Sequence, residues 1–166
     1  KDKAEASFKK AVGKDSKNIQ AIVRLADFYI RERKYDEGLK RTEDILKINP
    51  KSQEAMLLKG RIFLSRNEFD QALNLFQAYA KDNPKAALAH YLIATAHSGN
   101  RDTQQAKAAL AEAVKLNPKW EEPRLLLAET YLKEGDAGQA IDELNAVLKD
   151  HPGSVQAYLL LGNSHL

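Results

Sequence analysis

The chain has 166 residues, 43% of them hydrophobic, with no cysteine and a formal charge of +3 spread over interleaved acidic and basic residues. That apolar fraction sustains a buried core and sets aside a disordered chain, while zero cysteines exclude a disulfide framework or a thiolate metal site. The charge lacks the clustered basic face that nucleic acid requires, and no apolar run approaches the roughly 20 residues of a membrane span, so neither nucleic-acid binding nor membrane insertion is expected.

Residues 2–14 carry Ala4, Phe8, Ala11 and Val12 at helical spacing and predict a helix. A second helix over 19–33 has Ile22, Leu25, Ala26 and Tyr29 on one face. After Glu32-Arg33-Lys34, Asp36 is expected to cap a helix running to Ile48, where Pro50 stops it and Asn49 is expected to take a left-handed closing turn. Ser52 caps a helix to Ser65, and 71–81 returns antiparallel. The pattern continues through 86–98, 103–116, 121–133 and 137–149, and ends in a helix over 154–166 with Tyr158, Leu161, Gly162 and His165 on its packing stripe. Ten helices joined by short loops, with no strand candidate, are expected.

These segments repeat. Pro50, Pro84, Pro118 and Pro152 recur every 34 residues, three of them in the phrase Asn-Pro-Lys. A fixed period of that length marks a helical solenoid in which each helix pair contacts mainly its neighbours. The expected fold is therefore all-α, a right-handed superhelical solenoid of antiparallel helix pairs. Its divisions are a half repeat over 1–18, repeats over 19–52, 53–86, 87–120 and 121–154, and a half repeat over 155–166.

The recurring residues resemble the tetratricopeptide repeat family. Small residues stand eight places into each first helix (Ala26, Gly60, Ala94, Ala128, Gly162), and ring side chains three places later (Tyr29, Phe63, His97, Tyr131, His165). Small residues open each second helix (Ala4, Gly38, Ala72, Ala106, Ala140), followed by a packing position at Phe8, Thr42, Phe76, Leu110 and Leu144. The family's early tryptophan is replaced by Ile22, Met56, His90, Arg124 and Tyr158. In style, the segments 25–30, 127–132 and 159–166 resemble large bacterial multi-repeat proteins of the cell envelope, some linked to polysaccharide export, which implies a fragment of a longer array in bacterial cytoplasm or envelope.

The family's concave face is lined by first helices, so the resemblance places the candidate binding groove opposite the packing stripe. The fifth, ninth and twelfth places nominate Val23, Asp27, Ile30, Leu57, Arg61, Leu64, Tyr91, Thr95, Leu125, Glu129, Leu132, Leu159 and Asn163, with Ser98 and Leu166 also at twelfth places and Arg24, Leu58, Leu92, Leu126 and Leu160 at the sixth. A leucine-rich groove with a polar line suits an apolar or amphipathic partner segment; the competing reading packs these leucines against the neighbouring repeat. The family's carboxylate clamp needs lysine and asparagine at the fifth and ninth places, a pair no repeat holds.

Catalytic motifs and a cofactor site are absent from the sequence, and no enzyme is expected. His90 and His97 stand roughly 10 Å apart along one helix, too far for one zinc ion, and His97 occupies a packing place. Trp120 precedes Glu121-Glu122 in an inter-repeat loop, and reads as packing over that loop or as an exposed contact residue. Lys9, Lys10, Lys14 and Lys17 read as a solvated face. The expected function is a scaffold binding a protein or peptide; the alternatives are a self-assembling element stacking through its end helices as a homo-oligomer, and the regulatory region of a larger protein.

Overall fold

A computed structural model describes residues 2–164, so the expectations placed on His165 and Leu166 lie outside the described residues. Among the described residues there are ten helices and no strand. The chain forms two compact units, Lys1–Asp82 and Asn83–Leu166.

The first unit contains α1 (Asp2–Lys14), α2 (Ile19–Arg31), α3 (Tyr35–Ile48), α4 (Gln53–Ser65) and α5 (Phe69–Asp82). Its core gathers Ile22 and Ala26 of α2, Ile45 of α3, and Ala55 and Leu58 of α4, with Val12, Ile19, Val23, Ile30 and Leu46 packed around them. Three consecutive helices thus bury their apolar stripes in one place, each large side chain contributing about 1.5–3 kcal/mol of transfer free energy. The second unit contains α6 (Ala87–Gly99), α7 (Thr103–Leu116), α8 (Glu121–Glu134), α9 (Ala137–Asp150) and α10 (Val155–Ser164). One of its clusters joins Ala94, Leu110 and Leu127. Another joins Leu125, Ala128, Ala140, Leu144, Val147 and Ala157.

Two kinds of turn alternate. Within each helix pair the first helix ends on a left-handed residue: Arg33 (φ 58°), Asn67 (φ 60°), Arg101 (φ 62°) and Gly135 (φ 81°). There the amides of Arg33 and Lys34 donate to the carbonyls of Ile30 and Tyr29, at 3.1 and 2.8 Å, and the other three turns repeat the pattern. This is the Schellman arrangement, which satisfies the orphan carbonyls of a helix end.

Between pairs, Asn18, Ser52, Ala86, Trp120 and Ser154 each donate a backbone N–H to the carbonyl three residues earlier, at 3.0–3.2 Å. In four of these turns proline fixes φ at the second position. The turn's last residue is also a helix N-cap, and the Asn18, Ser52 and Ser154 side chains accept from the amides of Ala21, Ala55 and Ala157.

Two local expectations are corrected. Asn49 is extended, at φ −135° and ψ 97°, because the residue before proline is driven out of helical and left-handed space toward β geometry. Asp36 does not cap α3. The Schellman turn places Lys34 at that cap, leaving Asp36 in the first turn, where it accepts from Arg66 at 2.9 Å.

Candidate functional site

The nominated first-helix residues divide by unit. In the first, Val23 and Ile30 are half-buried against the core and Leu57 and Leu64 are half-buried on α4. The ninth-place line is closed by an ion pair: Arg61 donates to Asp27 at 2.7 Å across one repeat. A half-exposed pair of this kind contributes about 0–1 kcal/mol to stability, yet it neutralises the charge that a partner would meet. Of the sixth-place residues here, Arg24 is exposed and Leu58 is buried.

In the second unit, Leu125 is only 5% exposed and packs with Ala128, Leu144 and Ala157. It belongs to the core of this unit, with only an edge of it left at the surface. Leu92 is buried, Ser98 is exposed, and Leu126 and Leu160 are half-buried. The Thr95 hydroxyl donates to the Tyr91 carbonyl at 2.9 Å, within its own helix. Leu132 is half-buried beside the same core as Leu125. Glu129, Leu132 and Asn163, with Lys133 and Leu160, line a shallow hollow of about 410 Å³.

A smaller cleft of about 250 Å³ lies beside it, lined by Tyr91, Glu122, Leu125, Leu126, Glu129 and Gln156. Glu122, Leu125, Leu126 and Glu129 share one face of α8 at helical spacing. Gln156 reaches in from α10 and donates to Glu129 at 3.1 Å. Trp120, the N-cap residue of α8, stacks on Tyr91 with ring centroids 4.9 Å apart and planes tilted by 55°. The Tyr91 phenol is pushed above its ordinary value, first by burial and then by the charges of Glu122 and Glu129. Sequence reasoning named Tyr91, Leu125 and Glu129 but missed that Trp120, Glu122 and Gln156 join them. The available signal was the single tryptophan immediately before two glutamates at a helix start.

His90 and His97 sit against polar groups of their own unit. His97 is largely buried with Nδ1 3.2 Å from an Asp102 carboxylate oxygen. His90 Nε2 lies 3.3 Å from the Pro84 carbonyl, and Arg124, at the same place in the next repeat, donates to the Pro118 carbonyl at 3.0 Å. Among the described residues no three potential metal ligands cluster, and no helix is long and apolar enough to cross a membrane.

The apolar character of α10 is pronounced. Val155 is 71% exposed, Leu159 65% and Tyr158 57%, while Leu160 and Leu161 pack against the second unit's core. Tyr158 and Gly162, expected on a packing stripe, therefore stand open, with nothing within 4 Å of the space above Gly162.

A family model described as tetratricopeptide repeat matches residues 29–96 and 99–163. Similar solved structures include a thermophilic repeat protein of Thermus thermophilus, 18% identical, with TM-score 0.85 over 99% of this chain and 90% of that one. MamA of Desulfovibrio magneticus is 19% identical, with TM-score 0.75 over 93% and 87% of the two chains. YrrB, described as a repeat protein with an unusual peptide-binding site, is 18% identical, with TM-score 0.67 over 95% and 81%. No curated protein matches the chain.

Proposed function

Because the chain belongs to the tetratricopeptide repeat family, whose members serve as protein-interaction scaffolds, we propose that it binds an apolar or amphipathic partner segment along its first helices, without catalysis of its own. The observation that carries this reading is the set of half-buried aliphatic side chains on the first helices of the first unit, Val23, Ile30, Leu57 and Leu64, beside ninth-place polar residues. Each offers contact area to a partner while keeping its root in the core, so the surface is apolar without being loose. The peptide-binding neighbour YrrB supports a binding role for this fold.

The test is capture of interacting proteins by the wild-type chain and by a Leu57→Glu/Leu64→Glu variant of unchanged helicity. Loss of the captured partner supports the groove; retention of it refutes the assignment. Leu125 is unsuitable for this purpose because its replacement would damage the core.

A second reading, self-association, is favoured by the exposed Val155, Tyr158 and Leu159 on α10. It predicts a mass that climbs with concentration in light scattering, and a strict monomer at high concentration would count against it.

A further inference from the structure

The cleft between α6, α8 and α10 combines features that an apolar groove does not need. Its aromatic wall is Tyr91, backed by Trp120 with ring centroids 4.9 Å apart. Trp120 is fixed by the turn that precedes α8, where its N–H donates to the Asn117 carbonyl at 3.1 Å. Two turns of α8 then place Glu122 and Glu129 on either side of Leu125 and Leu126. Neither carboxylate has an ion-pair partner among the described residues, although Arg124, on the same helix, is paired with Glu143 at 2.5 Å and faces away. Glu129 accepts from the neutral Gln156 amide at 3.1 Å. Two carboxylates outside any ion pair among the described residues, a tyrosine ring and an aliphatic wall thus meet in a space of about 250 Å³.

That combination selects a cation carried on an apolar stem. Aromatic faces attract an ammonium or guanidinium group through the ring quadrupole, carboxylates supply charge-assisted hydrogen bonds, and leucines cover the methylenes that such a side chain buries behind its charged head. A free carboxylate or phosphate would meet repulsion from both glutamates, and a purely aliphatic side chain would strip water from them without replacing it. We infer that this cleft is a specificity pocket for a lysine or arginine side chain of the partner segment. The inference rests on the binding-scaffold reading and adds to it the chemistry of one anchoring residue.

Trp120 is the sole tryptophan, so emission excited selectively at tryptophan reports on the ring packed against Tyr91. The probes are the blocked pentapeptide Ala-Leu-Lys-Leu-Ala and its counterpart with norleucine for lysine, which keeps the stem and removes the charge. The lysine peptide should give a saturable change in emission and bind about tenfold more tightly than the norleucine peptide, the order expected of one partly desolvated cation–π contact. Glu129→Gln and Glu122→Gln, which preserve shape, should each erase most of that difference by weakening the lysine peptide, and added salt should weaken only the lysine peptide. Equal binding of the two peptides would overturn the cation pocket and leave the apolar groove standing. So would a lysine preference that survives both glutamine variants. No response to the lysine peptide would also overturn it, whatever the capture experiment with the Leu57→Glu/Leu64→Glu variant returns for the groove.

Discussion

Gly60 and Phe76 are in contact so close that a methyl group added at Gly60 would stand 2.7 Å from Phe76 Cζ and nearer still to Cε1. Glycine is required here because α4 and α5 approach over a fully buried ring. The corresponding places in the second unit hold Ala94 with Leu110, and Ala128 with Leu144; a smaller side chain on the second helix leaves room for a β-carbon on the first. Gly60→Ala should therefore cost about 1–3 kcal/mol through overpacking, outweighing the roughly 0.5–1 kcal/mol that alanine gains in a helix. Gly60→Ala/Phe76→Leu should recover much of the loss. Urea denaturation of both variants checks this, and a single variant as stable as wild type would contradict the packing argument. At Gly38 the nearest atom is the flexible Ile62 Cδ1 at 3.1 Å, so Gly38→Ala should be close to neutral.

The left-handed turn residues make the second prediction. Arg101 holds φ 62° where the next repeat has Gly135 at φ 81°. A β-carbon in that region costs about 1–2 kcal/mol, while glycine's extra freedom in the unfolded chain returns about 0.4–1 kcal/mol of that. Arg101→Gly should stabilise by about 0.5–1 kcal/mol, and Gly135→Ala should destabilise by a similar amount. Asn67→Gly should change less, since asparagine tolerates this conformation. Thermal melts showing the opposite sign for Arg101 and Gly135 would refute the account.

Most of the architecture could be read from residues whose demands are local. Proline every 34 residues and small residues at Ala26, Gly60, Ala94 and Ala128 each dictate a stop or a close approach irrespective of the rest. What escaped was set by competition between neighbours. Asn49 has the chemistry for a left-handed turn, but Pro50 removes that option; the left-handed residue falls instead at Arg33, whose side chain advertises nothing. Asp36 has the chemistry of a cap, yet the Schellman turn assigns that place to Lys34. The site was less legible than the fold, because exposure depends on the neighbouring repeat. Leu57 and Leu125 occupy the same place in the period, yet Leu57 stays half-buried while Leu125 joins a core cluster that includes Ala157 of α10.

Leu125 and Leu159 make that contrast measurable. Leu125→Ala should cost about 2–5 kcal/mol, the range for deleting a buried leucine. Leu159→Ser, at a site 65% exposed, should stay within about 0.5 kcal/mol while reducing any concentration-dependent association. Denaturation curves and light scattering on the two variants separate the effects. A Leu159→Ser variant as destabilised as Leu125→Ala would mean that α10 is more deeply packed than its exposure indicates.

The final prediction concerns acid. Glu5 on α1 accepts from Lys34 and from Lys9, each at 2.8 Å, and lies 3.4 Å from the Tyr29 hydroxyl. The hydrogen bond from Lys34 and then that from Lys9 hold its carboxyl at about 2, against an ordinary 4.5, with burial opposing them. The folded value is depressed, so protonation is easier in the unfolded chain, and the stabilisation is fully present above about pH 4.5. It fades as pH falls through the interval down to about 2. Carbon-13 NMR of the Glu5 carboxyl should therefore titrate near 2, and Lys34→Gln should move the midpoint upward by removing the largest contributor. The Glu5 contribution is isolated as the difference in stability between wild type and Glu5→Gln. That difference should be constant at neutral pH and vanish at the acid end of the interval. A Glu5 midpoint near 4.5 in the wild-type chain would show that neither lysine holds the carboxylate in solution, and that α1 is joined to α2 and the following turn by apolar packing alone, through contacts such as Phe8 with Phe28 at 5.8 Å between ring centroids.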